Sequence, residues 1–176
     1  HKSIEMKYKI LVFLLGIIII SCDTKPNQEC KDLTNESSKV KSNIELYSKV
    51  WDTAINGRNI EIINLDNFDE NIKTITADGD VKGIEAFKTY YNNYLTGFSD
   101  AEFNIIDVFG QGDKIVKYWS FKGTHDGDFF GIPATGKKVD LIGTTLVLMK
   151  DGRVLQEQDF FDNYSLLGQL GLIPTD

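Results

Sequence analysis

Cysteine and histidine are scarce in this chain of 176 residues: the cysteines are Cys22 and Cys30, the histidines His1 and His125. Two cysteines cannot build a disulfide framework within one copy, and Cys30 reads as a bystander. A region with one histidine and no cysteine, as here beyond residue 42, cannot assemble a zinc site of the usual kind, so no metal site is expected. No phosphate-binding loop or glycine-rich dinucleotide fingerprint occurs, and no cofactor is expected. A serine triad would have to use His125, and no nucleophile-elbow motif accompanies it. Positive charge is short as well, with 19 Lys+Arg against 26 Asp+Glu. Such a surface repels phosphate backbones and excludes nucleic acid as the expected partner. There is no internal repeat. The long apolar run, Ile10 to Ile20, holds 11 residues, about 16 Å as a helix and too short for a bilayer core of about 30 Å.

The run has a different use. Met6-Lys7-Tyr8-Lys9 is basic, the apolar stretch follows, and Ile19-Ile20-Ser21-Cys22 closes it. Basic, apolar and small, in that order, is the pattern of a cleaved secretion signal. A cysteine at the cut resembles a lipobox, in which the thiol is acylated before cleavage. Residues 1–21 are therefore expected to be a signal peptide and Cys22 a lipidated first residue, tethering the protein to a membrane outside the cytoplasm. The remainder would carry about −9, since Lys2, Lys7, Lys9 and Glu5 leave with the signal. Residues 22–42 are polar and read as a flexible tether reaching roughly 25 Å. Residues 43–176 suit one compact domain.

Within that domain, Ser42-Asn43-Ile44-Glu45 has capping-box spacing. Ile44, Tyr47, Val50, Trp51, Ala54 and Ile55 share a helical face, and Gly57 is a stop signal. A short helix is expected over residues 59–65, an extended piece over 72–76, and a third helix over 83–95. The period then becomes extended. Glu102–Phe109, Lys114–Lys122, Lys138–Met149 and Arg153–Phe161 are rich in Val, Ile, Phe and Thr and predict strands. Gln111-Gly112-Asp113 and Asp151-Gly152 mark tight turns between them, so the sheet should be largely antiparallel. A helix over 164–170 closes the chain. Helices followed by a strand meander predict an α+β domain, with the helices packed on one face of a strongly curved sheet.

The stretch from Trp119 through Gly123-Thr124-His125-Asp126-Gly127-Asp128-Phe129-Phe130-Gly131-Ile132-Pro133-Ala134-Thr135-Gly136-Lys137 holds four glycines and paired aromatics in a long connection. Loops of this length are functional or disordered, and Phe129 and Phe130 need burial, which suggests a flap over a cavity. Together with Asp151-Gly152-Arg153-Val154, Asp162 and Leu166-Leu167-Gly168-Gln169-Leu170-Gly171, this stretch resembles the SnoaL-like polyketide cyclases, in the ester cyclase branch of the nuclear transport factor 2-like superfamily. The resemblance covers about residues 43–174. It implies a cone-shaped fold with an apolar pocket. It also implies that Asp162, near the end of the last strand, takes a proton from carbon between two carbonyls and returns one to the new alkoxide. The same Asp162 stands where a helix N-cap belongs. His125, at a motif position, would donate to a substrate carbonyl or enolate, or else fix the loop. Trp119, Phe121 and Gly123 share strand parity. Gln158, Phe160 and Asp162 also share parity and are expected to face the pocket together. Relatives carry Trp where Gln158 stands, which makes this pocket more polar. Tyr91, Phe129 and Phe130 are expected to line the pocket or fill the core. The partner implied is a small hydrophobic molecule. Three functions compete: acid–base catalysis on a hydrophobic carbonyl compound, non-catalytic binding of an apolar ligand, and a homodimer or partner interface on the cone surface.

Overall fold

The structure, a computed structural model, describes residues 28–173. The expected signal peptide, Cys22 and the start of the expected tether lie outside the described residues. The rest of the expected tether is not coil. Helix α1 spans Gln28–Trp51, so residues 28–42 are helical and their expected flexibility is corrected. The polar composition excludes burial but not helix. Residues 28–56 contain no proline or glycine, and local pairs support the turns: Gln28 Nε2 donates to Asp32 Oδ1 at 2.8 Å and Lys41 faces Glu45 one turn on. Residues 28–39 are exposed, Cys30 among them, and burial begins at Asn43 and Tyr47. Residues 28–34 belong to a separate unit, and the compact one starts at Asn35. Among the described residues no helix is long and apolar enough to cross a membrane.

Helix α1 runs into a π turn, Asp52–Asn56, which ends at Gly57. A Cβ at Gly57 would lie 2.6 Å from the Thr53 carbonyl oxygen. A 3₁₀ turn follows at Ile60–Ile62. Then come strand β1 (Phe68–Thr74), the two-residue β2 (Val81–Lys82) and helix α2 (Ile84–Gly97). The meander is β3 (Glu102–Gln111), β4 (Lys114–Thr124), β5 (Lys138–Lys150) and β6 (Arg153–Phe161). Helix α3, Asn163–Gln169, closes the chain.

The six strands form one curved sheet in the order β2-β1-β6-β5-β4-β3. The fold is α+β, with the N-terminal helices packed on the sheet. Every pairing is antiparallel except β1 with β6, so the sheet is mixed. The parallel pair arises because the chain between β1 and β6 includes α2 and the whole meander, enough to return β6 in the same direction. The inner face of β4 carries Ile115, Lys117, Trp119 and Phe121, and that of β5 carries Leu141, Gly143, Thr145, Val147 and Met149. These close on Tyr47, Val50 and Trp51 of α1 and on Phe87, Tyr91 and Leu95 of α2.

One irregularity decides which side chains of β6 point inward. Met149 pairs with Val154, but Leu148 pairs with Gln156. Leu155 is therefore an extra residue on β6, a bulge that reverses the alternation. Val154 is inward, and after the bulge so are Glu157, Asp159 and Phe161. Phe160 points out, 47% exposed.

Across β4 and β5, Trp119 stands opposite Gly143. A Cβ on Gly143 would come within 2.5 Å of the Trp119 ring and 2.8 Å of the Phe160 carbonyl oxygen. Gly143→Ala is expected to cost about 1–3 kcal/mol of stability through overpacking. An unchanged urea midpoint would contradict this packing.

Candidate functional site

The inner face of β4 to β6 meets α1 and α2 around a small chamber of about 40 Å³. Trp51, Tyr94, Phe103, Trp119, Phe121 and Phe161 supply its aromatic walls, with Lys117, Tyr91 and Asp159 as its polar groups. A second space, about 390 Å³, shares Tyr94, Asp159 and Phe161 with it and extends to Tyr90, Phe129, Phe130, Leu166 and Leu167. One water needs roughly 10–15 Å³ measured this way. The chamber thus takes a functional group, and the outer space, a vestibule, takes the body of a small molecule. Asp159 belongs to both.

The polar groups form one connected system. Trp119 Nε1 donates to Thr145 Oγ1 at 2.9 Å, and Thr145 Oγ1 donates to Asp159 Oδ1. The Tyr91 hydroxyl lies 2.8 Å from Asp159 Oδ2 and 3.0 Å from Glu157 Oε2. Trp51 Nε1 donates to Glu157 Oε1 at 2.9 Å. Tyr91 has one hydroxyl hydrogen for two carboxyl groups. The network is complete when Tyr91 donates to Asp159 and a protonated Glu157 donates to Tyr91.

The electrostatics agree with that assignment. Glu157 has no exposed surface, and burial pushes its carboxyl up from an ordinary 4.5 to about 7; Lys117 opposes this and Asp159 adds to it. Lys117 is 3% exposed, and burial pulls its ammonium down while Glu157 and Asp159 hold it up. Burial drives the Tyr91 and Tyr94 hydroxyls well above their usual range, so both remain protonated donors. The Lys117 Nζ sits 4.6 Å from the Trp51 ring centroid and 4.9 Å from those of Tyr47 and Phe103. Three ring faces stabilise the cation.

The residues expected from the sequence divide. Tyr91 and Trp119 line the chamber. Phe129 is buried against Phe98 and Tyr94, and Phe130 packs at a tilt against Tyr90 at the vestibule. Asp162 does not enter either space. It is exposed and caps α3, its carboxylate accepting from Ser165 N at 3.0 Å. Gln158 lies on the outer face opposite Leu146. The bulge at Leu155 is why both face away from the pocket. His125 is fully buried, outside both spaces, and organises its loop. Thr135 N donates to its Nδ1 at 3.3 Å, Gly136 N to its carbonyl, and its own N–H to Lys137 O. The loop is pinned rather than loose. Asp126 N and Gly127 N both donate to Gly97 O at the end of α2, and a Cβ on Gly127 would lie 1.9 Å from Thr96 O. Sequence reasoning missed Lys117, Thr145, Glu157 and Asp159. Lys117 had a signal: it interrupts the apolar inward parity of Ile115, Trp119 and Phe121. Among the described residues no group of three or more His, Cys, Asp or Glu is placed to hold a metal ion.

Helices on a curved mixed sheet around an aromatic-lined pocket define a domain of the nuclear transport factor 2-like class. The family model for SnoaL-like polyketide cyclases matches residues 44–170. The chain belongs to that family. A Jannaschia sp. CCS1 protein described as a SnoaL-like polyketide cyclase superposes with a TM-score of 0.70 at 23% identity, over 76% of this chain and 94% of that one. TsrD from Streptomyces laurentii gives 0.65 at 23% identity, over 77% and 97%. A Bacillus cereus ATCC 10987 protein described as a polyketide cyclase gives 0.62 at 27% identity, over 80% and 85%. A comparison with curated proteins finds no match.

The raised pKa of Glu157 has a consequence for stability. The folded chain binds this proton more tightly than the unfolded chain, so the stabilisation is full below about 4.5 and is lost as pH rises to about 7. Glu157→Gln keeps an acceptor for Trp51 and a donor for Tyr91 at every pH. It should match the parent near pH 4.5 and exceed it near pH 8, by on the order of 3 kcal/mol. Urea melts at the two pH values measure the difference; a constant gap would refute a neutral Glu157.

Proposed function

We propose that the domain binds a small, largely apolar, enolisable carbonyl compound and performs acid–base chemistry on it with Asp159 as the base. The observation that carries this is the position of Asp159 on the wall common to chamber and vestibule, held by Thr145 and Tyr91. Carbon next to a carbonyl, and above all between two, is acidic enough for a carboxylate to deprotonate. Asp159 would take that proton while Tyr91 keeps its anion aligned, and the protonated Glu157 behind Tyr91 would serve as a proton reserve. The aromatic rings around Asp159 lower the polarity of the surroundings in which the enolate would form. Membership of a polyketide cyclase family makes an aldol-type ring closure the fitting overall reaction.

A binding-only reading has its own support: both Asp159 oxygens are already hydrogen-bonded. Turnover of a β-keto ester panel separates the two. Asp159→Asn should lower the rate by about 10²–10⁴, whereas Asp162→Ala should leave it and cost only about 1 kcal/mol of stability through the lost cap. Full turnover by Asp159→Asn would eliminate the proposed base. Ligand recovery by native mass spectrometry without any turnover would favour binding alone.

The sequence before the domain supports a lipid anchor at Cys22 and a location in the cell envelope. This speaks against service to a cytoplasmic polyketide assembly line and for a ligand met outside the cytoplasm. Cys22→Ser should move the protein from the membrane to the soluble fraction; retention on the membrane would refute the anchor.

A further inference from the structure

Lys117 has no role in the proton network. Its Nζ makes no hydrogen bond or ion pair with any described residue, although the side chain is 3% exposed and forms part of the chamber wall. Its neighbours are the ring faces of Tyr47, Trp51 and Phe103, at 4.6–4.9 Å, and the charges of Glu157 and Asp159 act on it without a hydrogen bond. Ring faces stabilise positive charge but accept N–H hydrogen bonds weakly. The ammonium therefore keeps donors directed at the chamber that only water or a ligand's acceptor can meet, and a ligand that fills the chamber without an acceptor leaves them stranded.

The acceptor's chemistry follows from the walls. The chamber admits a head group rather than a ring, and its sides are flat aromatic faces. Asp159 already balances the Lys117 charge, and its two oxygens are occupied by Thr145 and Tyr91. Glu157 also acts on the Lys117 charge, and its oxygens are taken by Trp51 and Tyr91. An incoming oxygen therefore meets one cation with free donors.

We propose that Lys117 docks a delocalised oxyanion, the carboxylate of a conjugated acid or the enolate of a 1,3-dicarbonyl, with the ligand's planar body lying in the vestibule against Tyr90, Tyr94 and Phe130. This deepens the pocket reading above, but it rests on the pocket alone and not on Asp159 acting as a base.

Both tryptophans of the chain, Trp51 and Trp119, line the chamber, so their fluorescence reports occupancy. The mature chain is titrated with cinnamate, with its neutral isostere cinnamamide, and with benzoylacetone at a pH where the enolate is present. Cinnamate should bind at least about tenfold more tightly than cinnamamide, the worth of one charge-assisted hydrogen bond. The gap should close in Lys117→Met, whose side chain keeps the length and ring contacts and whose fold is checked by its thermal midpoint. A Lys117-dependent response to benzoylacetone assigns the enolate as a second source; its absence narrows the ligand to carboxylates. Equal affinity for acid and amide, a gap that persists in Lys117→Met, or no quenching by any probe overturns the proposal. The two readings fail separately: a parent protein that turns over no β-keto ester but still prefers cinnamate to cinnamamide in a Lys117-dependent way loses the acid–base reading and keeps this one.

Discussion

Glu157 is a carboxyl group with no exposed surface, and that burial organises the inner half of the domain. A carboxylate cannot stay charged there without compensation, so the surroundings supply it in two forms. The Trp51 indole and the Tyr91 hydroxyl satisfy its oxygens, and Lys117 supplies opposite charge. Each of these groups comes from a different element: α1, α2 and β4. The demand of one side chain thus ties both helices to the sheet at the point where the pocket forms. Replacing such a cluster by hydrophobic residues would cost little stability. What the cluster does provide is a proton held close to neutrality and a cation inside an apolar wall.

The bulge at Leu155 governs which acid of β6 enters this cluster. Without the extra residue, Gln158, Phe160 and Asp162 would face inward and the outer face would carry Glu157 and Asp159. With it, the two acids fall beside Thr145, Tyr91 and Lys117, and Asp162 is left to cap α3. A single residue of register therefore separates a structural aspartate from one in the pocket, and they stand three positions apart.

The pocket divides labour by size. Its inner chamber is lined by rings and one ammonium and accepts a head group. Its vestibule lies under the pinned loop, where Phe130 meets Tyr90 and Tyr94. His125 serves that geometry from a distance: it is buried and bonds the far end of the loop to itself, so that Phe129 seals the wall and Phe130 borders the opening. Gly97 and Gly127 allow the loop to touch the end of α2 without a side chain between them. Pocket shape is thus set by backbone contacts, and its chemistry by strands β4 to β6.

The order and type of the elements were legible in the residues. Apolar spacing marked the helices around Tyr47 and Tyr91, alternation marked the four long strands, and Gly112 and Gly152 marked their turns. The motif around Gly123 to Lys137 pointed to the family. These are local properties, carried by neighbours within a turn or a hairpin. The helical start of α1 was missed because a polar run argues only against burial. The parallel β1–β6 pair was missed because partners so far apart in sequence leave no local trace. The site itself was half legible. Tyr91 and Trp119 sit on strong apolar faces, but Glu157 and Asp159 depend on a bulge that no local pattern announces. Local periodicity determined which elements this chain makes; long-range register and burial decided which acids, and which lysine, share the pocket.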